Sequence, residues 1–103
     1  IEYWKNDLAH KIISQAIKEN KILAAICIAP IILAEAGALK GKKATVWSSE
    51  EEKRPIDVLK KQGAEYINKK VVQDDKIITA NGPGAVEEFG QTIIKAINKI
   101  NNK

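Results

Sequence analysis

One apolar run, and the residue that ends it, constrain this chain more than any other feature. The run from Ile22 to Ile26 contains only Ile, Leu and Ala and has the length of a buried strand. It stops at Cys27, and Pro30 is placed to begin a helix. A cysteine at a sharp strand-to-helix turn is typical of a nucleophile elbow, where the partial positive charge of the helix N-terminus favours a thiolate.

Cys27 is the one cysteine of the chain, which excludes an internal disulfide and a multi-cysteine metal site. We expect no metal and no cofactor. Taken by itself, a cysteine that ends an apolar strand is also compatible with a small buried hydrophobic residue. The surrounding sequence therefore has to distinguish a reactive thiol from a packing residue.

Composition limits the partners of the chain. The 103 residues suffice for one small domain, and the net charge is +4. Basic residues are scattered among carboxylates, and Arg54 is the one arginine, which argues against nucleic-acid binding. The longest uncharged run, Ile22–Ala34, has 13 residues and is too short to span a bilayer. We expect no nucleic-acid or membrane partner and a cytoplasmic location.

Apolar periodicity predicts alternating helices and strands, which is typical of an α/β layered sheet. The strand at 22–26 is expected to be covered on both faces. Two helices carry apolar stripes, formed by residues 8, 12, 13, 16 and 17 and by residues 86, 89, 93, 97 and 100. Helices are predicted at 6–19, 30–38, 55–62 and 85–100, and strands at 22–26, 43–47, 66–67, 71–72 and 76–80.

Two features predict that part of the fold precedes Ile1. The chain contains no methionine, and it opens with a predicted helix rather than with a first βαβ unit. A sheet built from the remaining strands would keep an exposed edge. We therefore expect residues 1–103 to be a single partial domain.

Five motifs follow one another along the chain: Ala24–Pro30, Gly41–Thr45, Gly63–Tyr66, Val71–Ala80 and Asn81–Phe89. In this order they resemble the PfpI/ThiJ family, which has a class I glutamine amidotransferase-like fold. The resemblance implies a flavodoxin-like layered α/β/α sandwich with a mostly parallel sheet, here lacking its N-terminal βαβ portion.

The resemblance also implies an activity. The family includes intracellular proteases, the Parkinson-disease-associated deglycase and glyoxalase III-like enzymes, so the expected substrate is a peptide or a small carbonyl compound. Cys27 is the expected nucleophile, and the backbone N–H of Ile28 is the expected oxyanion donor. A second donor and a glutamate beside the cysteine are implied in a missing N-terminal half, and the protein is expected to be a homo-oligomer.

The histidine of the family is the point at which the sequence departs from the pattern. In one branch it follows the cysteine, where Ile28 stands, and in the other it ends the next strand, where Trp47 stands. Neither side chain transfers a proton, and His10 is expected on the exposed side of the first helix. Alternatives to an enzyme are a non-catalytic thiol redox sensor, a chaperone-like stress protein, or a structural half-domain that works only within an oligomer.

The expected pocket around Cys27 consists of Trp47, Pro30, Asn81 and Gly82. Trp47 either lines this pocket or covers the sheet; the ends of parallel strands favour the pocket. The segment 81–84 forms either an anion site at a helix start or a plain turn and cap. The glutamates at 50–52 are expected to be a solvated run of charge.

Overall fold

Helices and strands alternate along the computed structural model, which describes residues 7–101. This alternation confirms the α/β class predicted from the apolar pattern. A 3-10 turn, Pro83–Ala85, leads into the last helix. The elements in chain order are α1 (Asp7–Lys18), β1 (Leu23–Ile26), α2 (Pro30–Glu35), β2 (Lys43–Ala44), α3 (Arg54–Lys61), β3 (Glu65–Tyr66), β4 (Val71–Asp74), β5 (Ile77–Ala80) and α4 (Val86–Asn101).

Three strands form the main sheet in the order β1-β5-β4. β1 runs parallel to β5, with Leu23 opposite Ile77 and Ile26 opposite Ala80. β4 pairs antiparallel with β5 through a tight turn in which Asp75 has a φ of +56°. β2 and β3 form a separate parallel pair. Most of the pairing is therefore parallel, as predicted.

The strand predicted at 43–47 is shorter in the structure, where β2 ends at Ala44. The Thr45 N–H then donates to the side-chain Oγ1 of Thr79 at 2.9 Å rather than to a main-chain carbonyl. Further along, the Trp47 N–H donates to the carbonyl oxygen of Cys27 at 2.8 Å. Single hydrogen bonds, not a ladder, hold this segment beside β5 and the end of β1.

Local signals set the helix ends. α2 begins at Pro30, whose missing N–H costs nothing in the first turn, and it is followed by Gly37 with a φ of +83°. α3 begins one residue before Pro55 and is followed by Gly63 with a φ of +88°. α3 ends one residue before the predicted Gln62, whereas α2 ends at Glu35, three residues before the predicted Ala38.

Helices cover both faces of the main sheet. Ile77 joins a buried cluster with Ile13 of α1, Ile31 of α2 and Leu59 of α3. Its neighbour Ile78 is fully buried yet lies outside that cluster, because neighbouring strand residues point to opposite faces. α4 packs against β1, β4 and β5. This arrangement is a layered α/β/α sandwich, and each large buried side chain contributes about 1.5–3 kcal/mol.

The predicted apolar stripes are only partly buried. On α1, Ile13 is 7% exposed, whereas Leu8 and Ile12 are 67% and 62% exposed. On α4, Val86 is 57% exposed, and Ile97 and Ile100 are also exposed. Periodicity therefore identified which residues share a face, but part of each face is exposed among the described residues.

α1, α2 and α4 all contact β1, but its cover is incomplete among the described residues. Ala25 is buried, but Ala24 is exposed and the flanking residues are half-buried. β1 also has one strand neighbour, β5, within residues 7–101, so it forms the edge of the sheet. The predicted exposed edge is thus the strand that ends at Cys27.

Candidate functional site

Cys27 occupies a strained backbone position directly after β1. Its φ is +66°, in the left-handed region, which costs a residue with a side chain roughly 1–2 kcal/mol. The thiol is free and half-buried. A strained non-glycine residue persists only where the surrounding structure holds it, and such residues concentrate at functional sites.

Two hydrogen bonds hold Cys27 in this conformation. Its N–H donates to the carbonyl oxygen of Ala80, at the end of β5, over 2.9 Å. Its own carbonyl oxygen accepts the Trp47 N–H at 2.8 Å. The turn is therefore anchored on one side by the central strand and on the other by the segment after β2.

The three residues after Cys27 form the entry to α2. Ile28 is 37% exposed, and Pro30 is fully buried at the first helical position. The N–H groups of Ala29 and Ile31 donate to the carbonyls of Ile26 and Ile28 at 3.2 and 3.1 Å. Within the described part of the chain, the Ile28 N–H is not among the hydrogen-bonded amides of this turn.

Trp47 and Gly82 lie against each other beside the turn. A Cβ built on Gly82 would lie 3.6 Å from Cδ1 of Trp47, and Gly82 is buried with a φ of +155°. The half-buried Asn81 precedes it, and its N–H donates to the Lys70 carbonyl at 3.0 Å. The structure thus brings Trp47 and Gly82 into contact, while Asn81 is fixed by the loop before β4.

A groove of about 860 Å³ opens next to the turn, between α2, α3 and the loop that joins Trp47 to α3. We call it the α2–α3 groove. Its apolar part is formed by Ile28, Ile31, Trp47, Pro55 and Val58, and its polar part by Ser49, Glu51, Glu52, Arg54, Asp57 and Lys61. Cys27 is not one of the lining residues. Its sequence neighbour Ile28 and its hydrogen-bond partner Trp47 both line the groove.

The α3 side of this groove was not anticipated from the sequence. Pro55 and Val58 are three residues apart, so they lie on one face of the helix. This spacing is the one sequence signal that could have predicted an apolar face on α3. It could not show that this face opens beside Cys27, because the approach of α3 to α2 is a tertiary contact.

One member of the glutamate run departs from the expectation of simple solvation. The Arg54 Nε donates to Oε1 and Oε2 of Glu52 at 2.8 and 3.0 Å, and the Arg54 backbone N–H donates to Oε1 at 3.0 Å. These bonds to Arg54 lower the pKa of Glu52 from 4.5 to about 2 and raise that of Arg54. Glu50 and Glu51 are exposed, as expected.

His10 lies in α1 and is half-buried rather than exposed as expected. It is not among the residues that line the α2–α3 groove. Carboxylates, an arginine and a lysine are the titratable groups of that lining. Proton transfer in the groove would therefore depend on the carboxylates of Glu51, Glu52 and Asp57 or on water.

Neither a metal cluster nor a membrane span is found within residues 7–101. These residues contain no group of three or more His, Cys, Asp or Glu side chains placed to hold a metal ion. None of their helices combines the length and apolarity needed to cross a bilayer.

A parallel strand, a left-handed cysteine and a proline-initiated helix define an α/β protein with a cysteine at its strand-to-helix turn. The chain belongs to the DJ-1/PfpI family, whose profile matches residues 2–96. This confirms the resemblance found in the sequence motifs.

Relatives from archaea support the same assignment. An uncharacterized protein of Methanocaldococcus jannaschii is 43% identical over 98 residues, covering 95% of this chain and 46% of that protein. A deglycase of Thermococcus kodakarensis is 32% identical over 92 residues, covering 89% of this chain and 52% of the deglycase. The chain spans about half the length of the curated relatives it matches.

A solved structure confirms the fold. The ThiJ/PfpI domain protein of Brachyspira murdochii superposes with a TM-score of 0.83 at 24% identity. The match covers 93% of this chain and 53% of that one. The described residues therefore have the flavodoxin-like α/β architecture that the resemblance implied.

Proposed function

We propose that this chain carries the nucleophile of a DJ-1/PfpI protein that acts on small carbonyl compounds without a cofactor. Cys27 is the proposed nucleophile. The observation that carries the proposal is its left-handed backbone, with a φ of +66° and anchoring hydrogen bonds of 2.9 and 2.8 Å. The T. kodakarensis relative, which is named a deglycase, supports a substrate of this class.

In the proposed step, the Cys27 thiolate forms a bond to the carbonyl carbon, and the π pair of the C=O bond moves onto the oxygen. The Ile28 N–H donates a hydrogen bond to this oxyanion. With an aldehyde, a proton from water completes a hemithioacetal. The addition therefore requires no leaving group and no redox partner.

A peptide substrate asks more of the site, because an amine leaving group must receive a proton. Ile28 and Trp47 cannot supply one. The residues lining the α2–α3 groove include no histidine. We therefore favour a small carbonyl compound over a peptide as the substrate, and a hydrolase or lyase acting on carbonyls over a cysteine peptidase.

The α2–α3 groove is the proposed place for the body of the substrate. Its volume of about 860 Å³ lies in the range of small-molecule sites. Trp47 would form its wall next to Cys27, with the buried Gly82 behind it. Gly82, Asn81 and the buried Pro30 do not line the groove, so their proposed role is to support the segments around it. A carbonyl compound with an apolar substituent fits this lining better than a two- or three-carbon aldehyde.

We propose further that residues 1–103 are part of one DJ-1/PfpI domain completed by an N-terminal portion, and that the protein is a homo-oligomer. The matched relatives are about twice as long as the match. The open edge at β1 and the exposed Leu8 and Ile12 offer apolar surface for such partners. Light scattering on the full-length protein measures the oligomeric state, and a monomer would contradict that part of the proposal.

The test compares the full-length protein with its Cys27→Ala variant in consumption of methylglyoxal and phenylglyoxal. Loss of a covalent nucleophile should lower kcat/KM by roughly 10³-fold. Ser14→Ala, on the exposed surface of α1, is the control and should match the wild type. Full activity in Cys27→Ala would overturn the proposal.

A second candidate is a thiol redox sensor or a chaperone-like stress protein without catalysis. It is favoured by one observation: Ile28 and Trp47 occupy both positions where the resemblance places a histidine. Partly exposed thiols of this kind oxidise to sulfenic and sulfinic acid. Mass spectrometry after mild peroxide treatment tests it, and a Cys27 that stays reduced would exclude a sensor.

A further inference from the structure

Two fully buried threonines lie on the segments that anchor the Cys27 turn. Thr79 is on β5, and Thr45 is on the segment that follows β2; both are 0% exposed. The Thr45 N–H donates to Thr79 Oγ1 at 2.9 Å, across 34 positions of sequence. A side-chain oxygen thus takes the place that a main-chain carbonyl has in a strand ladder.

This bond joins the two anchors of Cys27. Thr79 directly precedes Ala80, which accepts the Cys27 N–H. Thr45 lies two residues before Trp47, which donates to the Cys27 carbonyl. The pairings among the described strands connect β5 to β1 and β4 and connect β2 to β3, but do not connect β2 to β5. Three hydrogen bonds therefore form a closed ring around the turn: Cys27 to Ala80 of β5, Trp47 to Cys27, and Thr45 to the hydroxyl of Thr79. The hydroxyl of Thr79 completes this ring.

We propose that Thr79 is a positioning residue for Cys27. Its hydroxyl holds the segment 45–47 at β5, and that segment holds the Cys27 carbonyl. A left-handed cysteine relaxes when its anchors loosen, because the conformation is unfavourable by itself. Loss of the Thr79 hydroxyl would therefore lower the reactivity of the Cys27 thiol, although the two side chains are linked only through the segment 45–47. The inference rests on the proposed function, in which the geometry of Cys27 determines its chemistry.

Thr45 provides a matched control for Thr79. Both side chains are fully buried, and valine replaces either with nearly the same shape. The Thr45 hydroxyl has no hydrogen-bond partner within residues 7–101, and its N–H, not its side chain, contacts Thr79. Thr45→Val removes a buried hydroxyl and leaves the ring intact, whereas Thr79→Val leaves the Thr45 N–H without an acceptor.

The experiment measures the rate of Cys27 alkylation by iodoacetamide from pH 6 to 10 in the full-length protein, by intact mass. Thr79→Val should lower the rate at least fivefold across this pH range. Thr79→Ser, which keeps the oxygen, should stay within twofold of the wild type, as should Thr45→Val. Thermal unfolding of each variant separates a global loss of structure from this local effect.

A second pair of variants tests the same inference if Thr79→Val does not fold. Thr79→Ala and Thr79→Ser both lose the methyl group, and only serine keeps the acceptor. Equal alkylation rates in these two variants, or equal losses in Thr79→Val and Thr45→Val, would overturn the inference. A wild-type Cys27 no more reactive than free cysteine at pH 7 would instead refute the proposed function.

Discussion

The main-chain N–H of Trp47 lies 2.8 Å from the carbonyl oxygen of Cys27, so the indole-bearing residue is tied to the cysteine through the backbone. The resemblance places a histidine at this position in one branch of the family. This hydrogen bond therefore places the side chain of Trp47 at the edge of the turn that contains Cys27. In this chain that side chain is an apolar ring.

Restoring an imidazole at this position should increase turnover. Trp47→His supplies a group that exchanges protons near neutral pH, and general acid–base catalysis contributes roughly 10²-fold or more. The rate on phenylglyoxal should rise and gain a pH-dependent limb at about pH 6.5. Trp47→Phe loses the indole without adding a base and is the control. A histidine variant no faster than the phenylalanine variant would refute the prediction.

Gly82 should resist substitution although space is available beside it. An added Cβ would make an ordinary 3.6 Å contact with Trp47, but the backbone at φ +155° and ψ −169° is accessible essentially to glycine alone. Gly82→Ala should lower the free energy of unfolding by about 1–3 kcal/mol. Gly84→Ala, with no positive φ and nothing within 4 Å, should change it by less than about 0.5 kcal/mol. Urea unfolding measures both, and equal effects would contradict the assignment to backbone strain.

The Glu52–Arg54 pair should make stability fall in acid. The pKa of Glu52 is about 2 in the folded chain and 4.5 in the unfolded chain, so between these values the unfolded state binds more protons. The contribution of the pair is complete above about pH 4.5 and is lost as the pH falls through about 2. Unfolding free energies of the wild type and Glu52→Gln should therefore converge over this window.

Salt provides an independent check of that pair. The Arg54 side chain is 86% exposed, so 1 M salt should weaken the attraction and reduce the difference between wild type and Glu52→Gln at pH 7. Glu50→Gln, on an exposed neighbour, is the control and should not alter the acid dependence. A difference that persists unchanged from pH 7 to pH 2 would exclude the linkage.

Filling the α2–α3 groove should discriminate between substrates. Val58 lines its apolar side, and Val58→Phe occupies space that a substituent of the substrate would otherwise fill. Burial of a phenyl group is worth about 1.5–3 kcal/mol, so kcat/KM for phenylglyoxal should fall by about 10- to 100-fold. Methylglyoxal, with a single methyl substituent, is the internal control. Equal losses for both substrates would place the substrate outside the groove.

Local sequence signals accounted for most of the fold. Pro30 fixed the start of α2, and Gly37 and Gly63 marked helix ends because the backbone there has positive φ. The turn at Cys27 followed from an apolar strand meeting a proline. Each of these depends on interactions within a few residues, which periodicity and turn chemistry report directly.

Long-range contacts account for what was not predicted. Thr45 and Thr79 are 34 positions apart, and no pattern around either threonine indicates that one side chain would replace a ladder carbonyl. The exposure of Ile12 beside the buried Ile13 has the same origin. Periodicity defines an apolar face, but what covers that face is decided by elements distant in sequence.

The left-handed backbone of Cys27 also has a cost in stability. Glycine adopts a φ of +66° without steric penalty, so Cys27→Gly should match or exceed the wild type in free energy of unfolding, by up to about 1 kcal/mol. The side chain at the end of β1 therefore lowers the stability of the domain, and this one substitution removes the thiol and the steric cost together.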